Sequence, residues 1–205
     1  MRRARFIVID GIDGSGKSSQ VKLLRKKLGS RAVFTHDPGG TPTGEAVRAV
    51  LLGSKTLSPL AVFFLFLASR AALVEEIIAP ALKKGRMAIS DRFDSSTYAY
   101  QVCAGKRPEY AKLIRAFSGE VLRKAVPDAY IILDSDPKKA RERLLTDRAK
   151  DLNAYDKKPL SYHRAVRAGF KKFKPKGSKI YFVNADRSID TVHKDVWALV
   201  SRILK

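Results

Sequence analysis

The sequence predicts an α/β fold, a three-layer sandwich in which a five-stranded parallel sheet is flanked by helices. Three observations predict it. Five short apolar runs with the composition of buried strands recur along the chain. Helical patterns separate them, so crossovers must join the strands and the strands must run parallel. The chain is 205 residues long, 45% hydrophobic, and carries no internal repeat or linker, which fits one core and a single domain over 1–205.

The elements follow in order. "RFIVID" (5–10) is a buried strand ended by glycine, and "SSQVKLLRKKLG" (18–29) puts Val21, Leu24 and Leu28 on one helical face, with Gly29 closing it. "RAVFTHD" (31–37) is the second strand, "DPGGTPT" a turn, and "TGEAVRAVLLG" (43–53) a helix. Residues 58–85 form a long, mostly buried helix in which Pro80 predicts a kink or break. "RMAISD" (86–91) is the third strand, followed by helices at 95–102 and 108–125. "DAYIILDSD" (128–136) is the fourth strand, and Pro137 opens the helix after it. A helix at 160–173, the strand "KIYFVNAD" (179–186) and a closing helix at 188–204, with Ser188 as N-cap, complete the chain.

Composition excludes several classes. The longest apolar stretch, "LAVFFLFLA", ends at Ser69 and falls short of the roughly 20 residues a membrane span needs. "MRRARF" leads into no signal-peptide core, so the expected location is the cytoplasm. The lone Cys103 rules out an internal disulfide and a cysteine metal site. The net charge of +21 would attract polyanions. Its basic residues are spread along the chain rather than gathered in one tract, however, and no nucleic-acid-binding motif occurs, so nucleic acid is not expected as a partner. Gln20, Gln101, Asn153 and Asn184 are the only side-chain amides, a scarcity that, with 30% charged residues, suggests a hot habitat.

Chemistry starts at Gly11–Ser18, G-I-D-G-S-G-K-S, a full match to the phosphate-binding pattern G-x-x-x-x-G-K-[ST] between a strand and a helix. Glycines at Gly11, Gly14 and Gly16 let backbone amides, with those of Ser15 and Ser19, curl around phosphate oxygens at a helix N-terminus. Lys17 reaches the β- and γ-phosphates and Ser18 offers a hydroxyl to Mg²⁺. The stretch therefore holds a nucleoside triphosphate. Asp91, at the C-terminal end of the third strand, is a second candidate for the metal, and Arg92 can neutralise another phosphate. Phe66 and Arg70 stand four apart on one helical face.

Taken together, "GIDGSGKSSQ", "DPGGTPTGEAVR", "FLFLASRAALVEEIIAPALKKGRMAISDRF", "SSTYAYQ", "PDAYIILDSDP" and "NADRSIDTVHKDVW" resemble the thymidylate kinase family over nearly the whole chain. The resemblance implies the nucleoside monophosphate kinase variant of the P-loop fold, ATP as phosphoryl donor, Mg²⁺, and dTMP as acceptor giving dTDP. It also implies a homodimer built on the long helix, and with the composition it suggests a thermophilic archaeon as the source. It assigns Asp13 to the deoxyribose 3′-hydroxyl, Phe66 to a stack on thymine, Arg70 to thymine O4, Arg92 to the acceptor phosphate, and Ser96, Tyr100 and Gln101 to the base and sugar pocket. Asn184 and Arg187 would lie near adenine, with Arg143 on its other side.

Some family members carry the catalytic arginine in the phosphate loop, where this chain has Ser15. Here the resemblance looks to a lid, around 143–158, with Arg148 and Lys150 as candidate cations beside Lys17 and Arg92. One departure stands out. The family pattern reads T-R-E-P-G-G; this chain reads "THDPGG", with His36 for the arginine and Asp37 for the glutamate. Histidine is shorter, only partly charged near neutral pH, and cannot fork onto a phosphate. Either another cation fills in, or acceptor binding is weaker, or preference has moved to dUMP, another monophosphate or a deoxynucleoside. A non-enzymatic nucleotide- or nucleic-acid-binding protein is the distant alternative.

Overall fold

A computed structural model describes residues 4–53, 57–148 and 152–204. All five predicted strands form: β1 (Phe6–Gly11), β2 (Ala32–His36), β3 (Met87–Asp91), β4 (Ala129–Asp134) and β5 (Lys179–Asn184). They make one parallel sheet in the order β2-β3-β1-β4-β5. β1 is central and buried throughout, and its side chains alternate between two cores. Phe6 and Val8 join Ala88, Tyr130 and Ile132 on one face. Ile7 and Ile9 join Ile89, Ile131 and Leu133 on the other.

The second face is covered by α1 (Lys17–Leu28) and α9 (Ile189–Leu204), through Leu24, Val192, Val196 and Val200. The Ser188 cap is present: its Oγ accepts from the Thr191 amide at 3.3 Å. The first face is covered by the long helical path and by α8 (Leu160–Lys172). α2 (Pro42–Gly53) and α7 (Pro137–Arg148) reach the rim. The three predicted layers are thus realised, with both cores on the sheet.

Two helices differ from expectation. The path beginning at α3 (Pro59–Leu73) does not break at Pro80. It widens into a π turn at Val74–Ile78 and continues as α4 (Ala79–Lys83). Proline lacks an amide and its ring crowds the carbonyl four residues back; the wider turn immediately upstream accommodates both. The predicted helix at 95–102 is one α turn, α5 (Asp94–Thr97), followed by a π segment at Tyr98–Ala104. The next helix is α6 (Tyr110–Val121), ending in a 3₁₀ turn at Leu122–Lys124. Among the described residues, no helix is long and apolar enough to cross a membrane.

Candidate active site

The C-terminal ends of β1, β2 and β3 and the turns after them open onto a cleft of about 770 Å³. β1 ends at Gly11 and α1 starts at Lys17, so the glycine loop crosses the floor of this cleft. Gly14 has φ +76°, and a Cβ there would stand 2.0 Å from the Ala140 carbonyl oxygen, so the loop can lie against α7 only without a side chain. Gly16 caps α1, which leaves the first-turn amides of Lys17, Ser18 and Ser19 without intrahelical acceptors where they line the cleft. Lys17 Nζ donates to the carbonyls of Gly11 (3.0 Å) and Ile12 (2.8 Å). Burial, then the nearby Arg92, pulls its pKa down, against the pull of Asp13 and Asp91. Ser18 Oγ donates to Asp91 Oδ2 at 3.5 Å, bringing the two predicted metal-side oxygens together.

Beyond the loop, Arg92 organises the opposite wall. It is a non-glycine residue at φ +71°, a strained conformation of the kind retained where function requires it. Its guanidinium ion-pairs with Asp13 and donates to Ser96 Oγ at 2.9 Å. Tyr100 Oη donates to the other Asp13 oxygen at 2.7 Å. Burial works against the Asp13 charge, but Arg92 and then Lys17 prevail and hold the carboxyl far below the usual range. Beneath them Asp10 is fully buried, accepting from the Gly11 amide (2.8 Å), Ser95 (2.5 Å) and Ser96 (2.8 Å). Burial raises its pKa despite Arg92. Asp10 supports this wall and does not itself line the cleft.

The far end is built around Arg70, 1% exposed. Its Nε donates to Asp37 Oδ2 at 2.6 Å and its Nη2 to Thr97 Oγ1 at 2.7 Å, while Nη1, also buried, has no hydrogen-bond partner. Burial raises the Asp37 pKa, against the pull of Arg70. Asp37 therefore positions Arg70. Phe66 and Gln101 line the same end of the cleft, and Gln101 Nε2 donates to Tyr155 Oη at 3.2 Å.

His36 lies on the rim but is engaged sideways, its Nε2 2.7 Å from Glu45 Oε1. Gly39 makes room for the ring: a Cβ there would stand 2.4 Å from His36 Nε2. One turn beyond Glu45, Arg48 also lines the cleft and donates to the Pro38 carbonyl at 2.9 Å.

On the donor side, Arg143 donates to the Gly14 carbonyl (3.4 Å) and pairs with Asp186 (3.1 Å), tying α7 and the turn after β5 to the glycine loop. Arg187 lines the cleft and pairs with Asp195. Asn184 does not join them. It is exposed, its Oδ1 accepts from the Asp186 amide at 3.0 Å, and it faces a shallow depression beside β5 and α9. As the last residue of β5 it alternates away from the cleft, and Ala185, Ile189 and Val192 line that wall instead. Arg148 ends α7, and Lys150 lies outside the described residues.

A sequence model of the thymidylate kinase family matches residues 9–196. The chain belongs to that family. The thymidylate kinase of Chromobacterium violaceum is 36% identical over 210 residues, covering 100% of this chain and 97% of the relative. That of Caldanaerobacter subterraneus is 38% identical over 209 residues, covering 99% and 98%. The crystal structure of the Ehrlichia chaffeensis thymidylate kinase superposes with a TM-score of 0.76 at 28% identity, covering 98% of this chain and 99% of that one. These relatives are bacterial, so the expected archaeal, thermophilic source finds no support in them.

Sequence reasoning missed Thr97, Arg48 and Tyr155. Thr97 is one residue from the assigned Ser96, and only the α5 turn decides that it faces Arg70. Arg48 carried a readable signal, since Glu45 and Arg48 are three apart on one helix. Tyr155 meets Gln101 across 54 residues of chain, which no local pattern predicts.

Proposed function

We propose that the glycine loop and the Arg143–Arg187 wall take ATP, and that the Arg92, Asp13, Tyr100 and Arg70 side takes dTMP. The chain transfers the γ-phosphate of ATP to dTMP, giving dTDP. One observation carries the reading: a single cleft joins the phosphate loop to the buried Arg70, whose Nη1 has no hydrogen-bond partner. That nitrogen suits a base carbonyl, thymine O4, with Phe66 against the ring and Gln101 at the imide edge. Asp13 holds the 3′-hydroxyl, and the Tyr100 ring lies beside the sugar, where a ribose 2′-hydroxyl would crowd it.

The acceptor oxygen is already anionic, so no general base is needed, and rate enhancement comes from alignment and charge neutralisation. Lys17 and Arg92 take the equatorial oxygens. Arg148, on the last turn of α7, is the lid cation of the proposal, with Lys150 as the other candidate; the lid spans about 143–158 and excludes water on closing. Ser18 and Asp91 are hard oxygen donors that would hold Mg²⁺. When bound, the ion would neutralise phosphate charge.

With His36 turned to Glu45, Arg48 is the cation that reaches the acceptor phosphate in place of the family's arginine. A homodimer is part of the proposal, supported by Leu60 and Phe64, four apart on α3 and 47% and 51% exposed. So is a cytoplasmic setting, supported by the need for ATP. The test is initial rate with ATP and Mg²⁺ against dTMP, dUMP, dCMP, dGMP, UMP and thymidine. Preference for dTMP supports the pocket reading; preference for another monophosphate moves the protein to the sister activity that His36 keeps in view.

A further inference from the structure

Six of the basic residues that are scattered along the sequence meet at one end of the fold. In an all-parallel sheet every strand starts at the same end, so the turns that precede the five strands share one face, opposite the nucleotide cleft. The turn before β2 carries Arg31, the turn before β3 carries Lys84 and Arg86, and Lys124 lies before β4. Lys176 lies in the turn before β5, and Lys179 opens that strand. All six are exposed. Arg86 donates to the Ser30 carbonyl, so neighbouring turns are joined across the face. The turns containing Gly85 (φ +73°) and Gly177 (φ +78°) project into open space.

Counter-charges are sparse here. Asp128 is the one acid in these turns, and it holds Arg5 at 3.0 Å. Glu75, from the neighbouring π turn, pairs with Lys124. Among the described residues, Arg31, Lys84, Arg86, Lys176 and Lys179 have no ion-pair partner. The carboxylates concentrate at the other end, where Asp13, Asp37 and Asp91 line the cleft and Asp10 and Asp94 are buried nearby. Helix C-termini at this face favour some cations by themselves, but Lys176, Lys179 and Arg86 lie beyond any helix end.

We infer that this face binds the phosphate backbone of duplex nucleic acid without reading sequence, leaving the cleft free to turn over nucleotides. The five strand starts span about 19 Å at 4.8 Å per strand, a length over which a duplex presents roughly ten phosphate charges. Among the described residues the exposed large aromatics, Phe64 and Phe182, lie on α3 and midway along β5, so these turns offer no stacking platform for single strands and no aromatic wedge for a lipid surface.

The test is fluorescence anisotropy of a labelled duplex of about 20 base pairs titrated with the full-length protein at about 50 and 200 mM salt. Six phosphate contacts predict an affinity loss of about 10³-fold over that range. The triple variant Lys84→Glu, Arg86→Glu, Lys176→Glu should bind at least about tenfold more weakly at the lower salt and show a shallower salt slope. A control triple on other faces, Lys112→Glu, Arg115→Glu, Lys194→Glu, removes the same net charge and should lose less than about threefold. Both variants should keep the wild-type kinase rate, which also shows that they fold. Equal losses in the two triples would mean that net charge, not this face, binds the duplex, and would overturn the proposal. So would absence of duplex binding, or tighter binding to anionic phospholipid vesicles than to the duplex.

Discussion

Replacing Arg48 by alanine tests the part of the acceptor site where this chain departs from its family. His36 is held by Glu45 at 2.7 Å, while Arg48 lines the cleft one turn further along α2 and donates to the Pro38 carbonyl. A charge-assisted contact to phosphate contributes about 1.5–3 kcal/mol. Arg48 is half-exposed, so solvent screening reduces this to about 1–2 kcal/mol. Arg48→Ala should therefore lower kcat/KM for dTMP by about 5- to 30-fold, mainly through KM, and leave the KM for ATP unchanged. Arg48→Lys should recover part of the loss as a point charge without the fork. Steady-state kinetics at low and moderate salt measure this, with the deficit shrinking as salt rises. An unchanged KM for dTMP in Arg48→Ala at low salt would refute the assignment and leave Arg92 as the sole cation on the acceptor phosphate.

Further outcomes are expected at the same site. Arg70→Met leaves Asp37 without its ion-pair partner in the interior, at a cost of about 3–5 kcal/mol, which lowers Tm by about 6–20 °C. Adding Asp37→Leu should restore most of the stability but none of the dTMP turnover, and turnover returning with stability would show that Arg70 is structural only. Arg148→Ala should lower kcat by about 10²-fold or more with nucleotide affinity nearly unchanged; an unaltered kcat would move the lid cation elsewhere. Asp13 is an acid whose folded-state pKa is depressed below the ordinary 3.8. Its contribution to stability is thus complete above that pH and is lost as the pH falls through the folded value. Asp13→Asn should therefore flatten the loss of stability between neutral pH and the acid limb, measured by denaturant melts from about pH 6 to pH 3.

The fold was legible because each strand is both apolar and short, and the β1 alternation of Phe6 and Val8 against Ile7 and Ile9 follows directly from a sheet covered on both faces. The phosphate loop was legible because its chemistry is local. Gly14 must have no side chain, Lys17 must follow the turn, and both requirements fall within eight residues. What sequence could not supply was the π geometry. Two wide turns, Val74–Ile78 after Arg70 and Tyr98–Ala104 through Tyr100 and Gln101, shift the register of the side chains around them. An ideal 3.6-residue period assigned those residues to helices without locating their faces. Asn184 failed for the converse reason, since a family motif named the residue while strand alternation turned it away from the cleft.

The buried carboxylates explain why so few positions carry the site. Asp10 and Asp37 are raised in pKa by burial, so neither is kept for the stability of its own charge. Each instead fixes a cation-bearing wall: Asp10 through Ser95, Ser96 and Arg92, and Asp37 through Arg70. Such interactions add little net stability, because desolvation offsets attraction. What they provide is orientation, with the guanidinium planes set before any nucleotide arrives, and phosphoryl transfer depends on that more than on any covalent chemistry from the protein. The same logic accounts for His36. At the rim, where water screens charge and Glu45 is available, an arginine is replaceable provided that a neighbour one helical turn away can supply the positive charge. In the interior, where Arg70 donates to Thr97 and ion-pairs with Asp37, no such substitution is open.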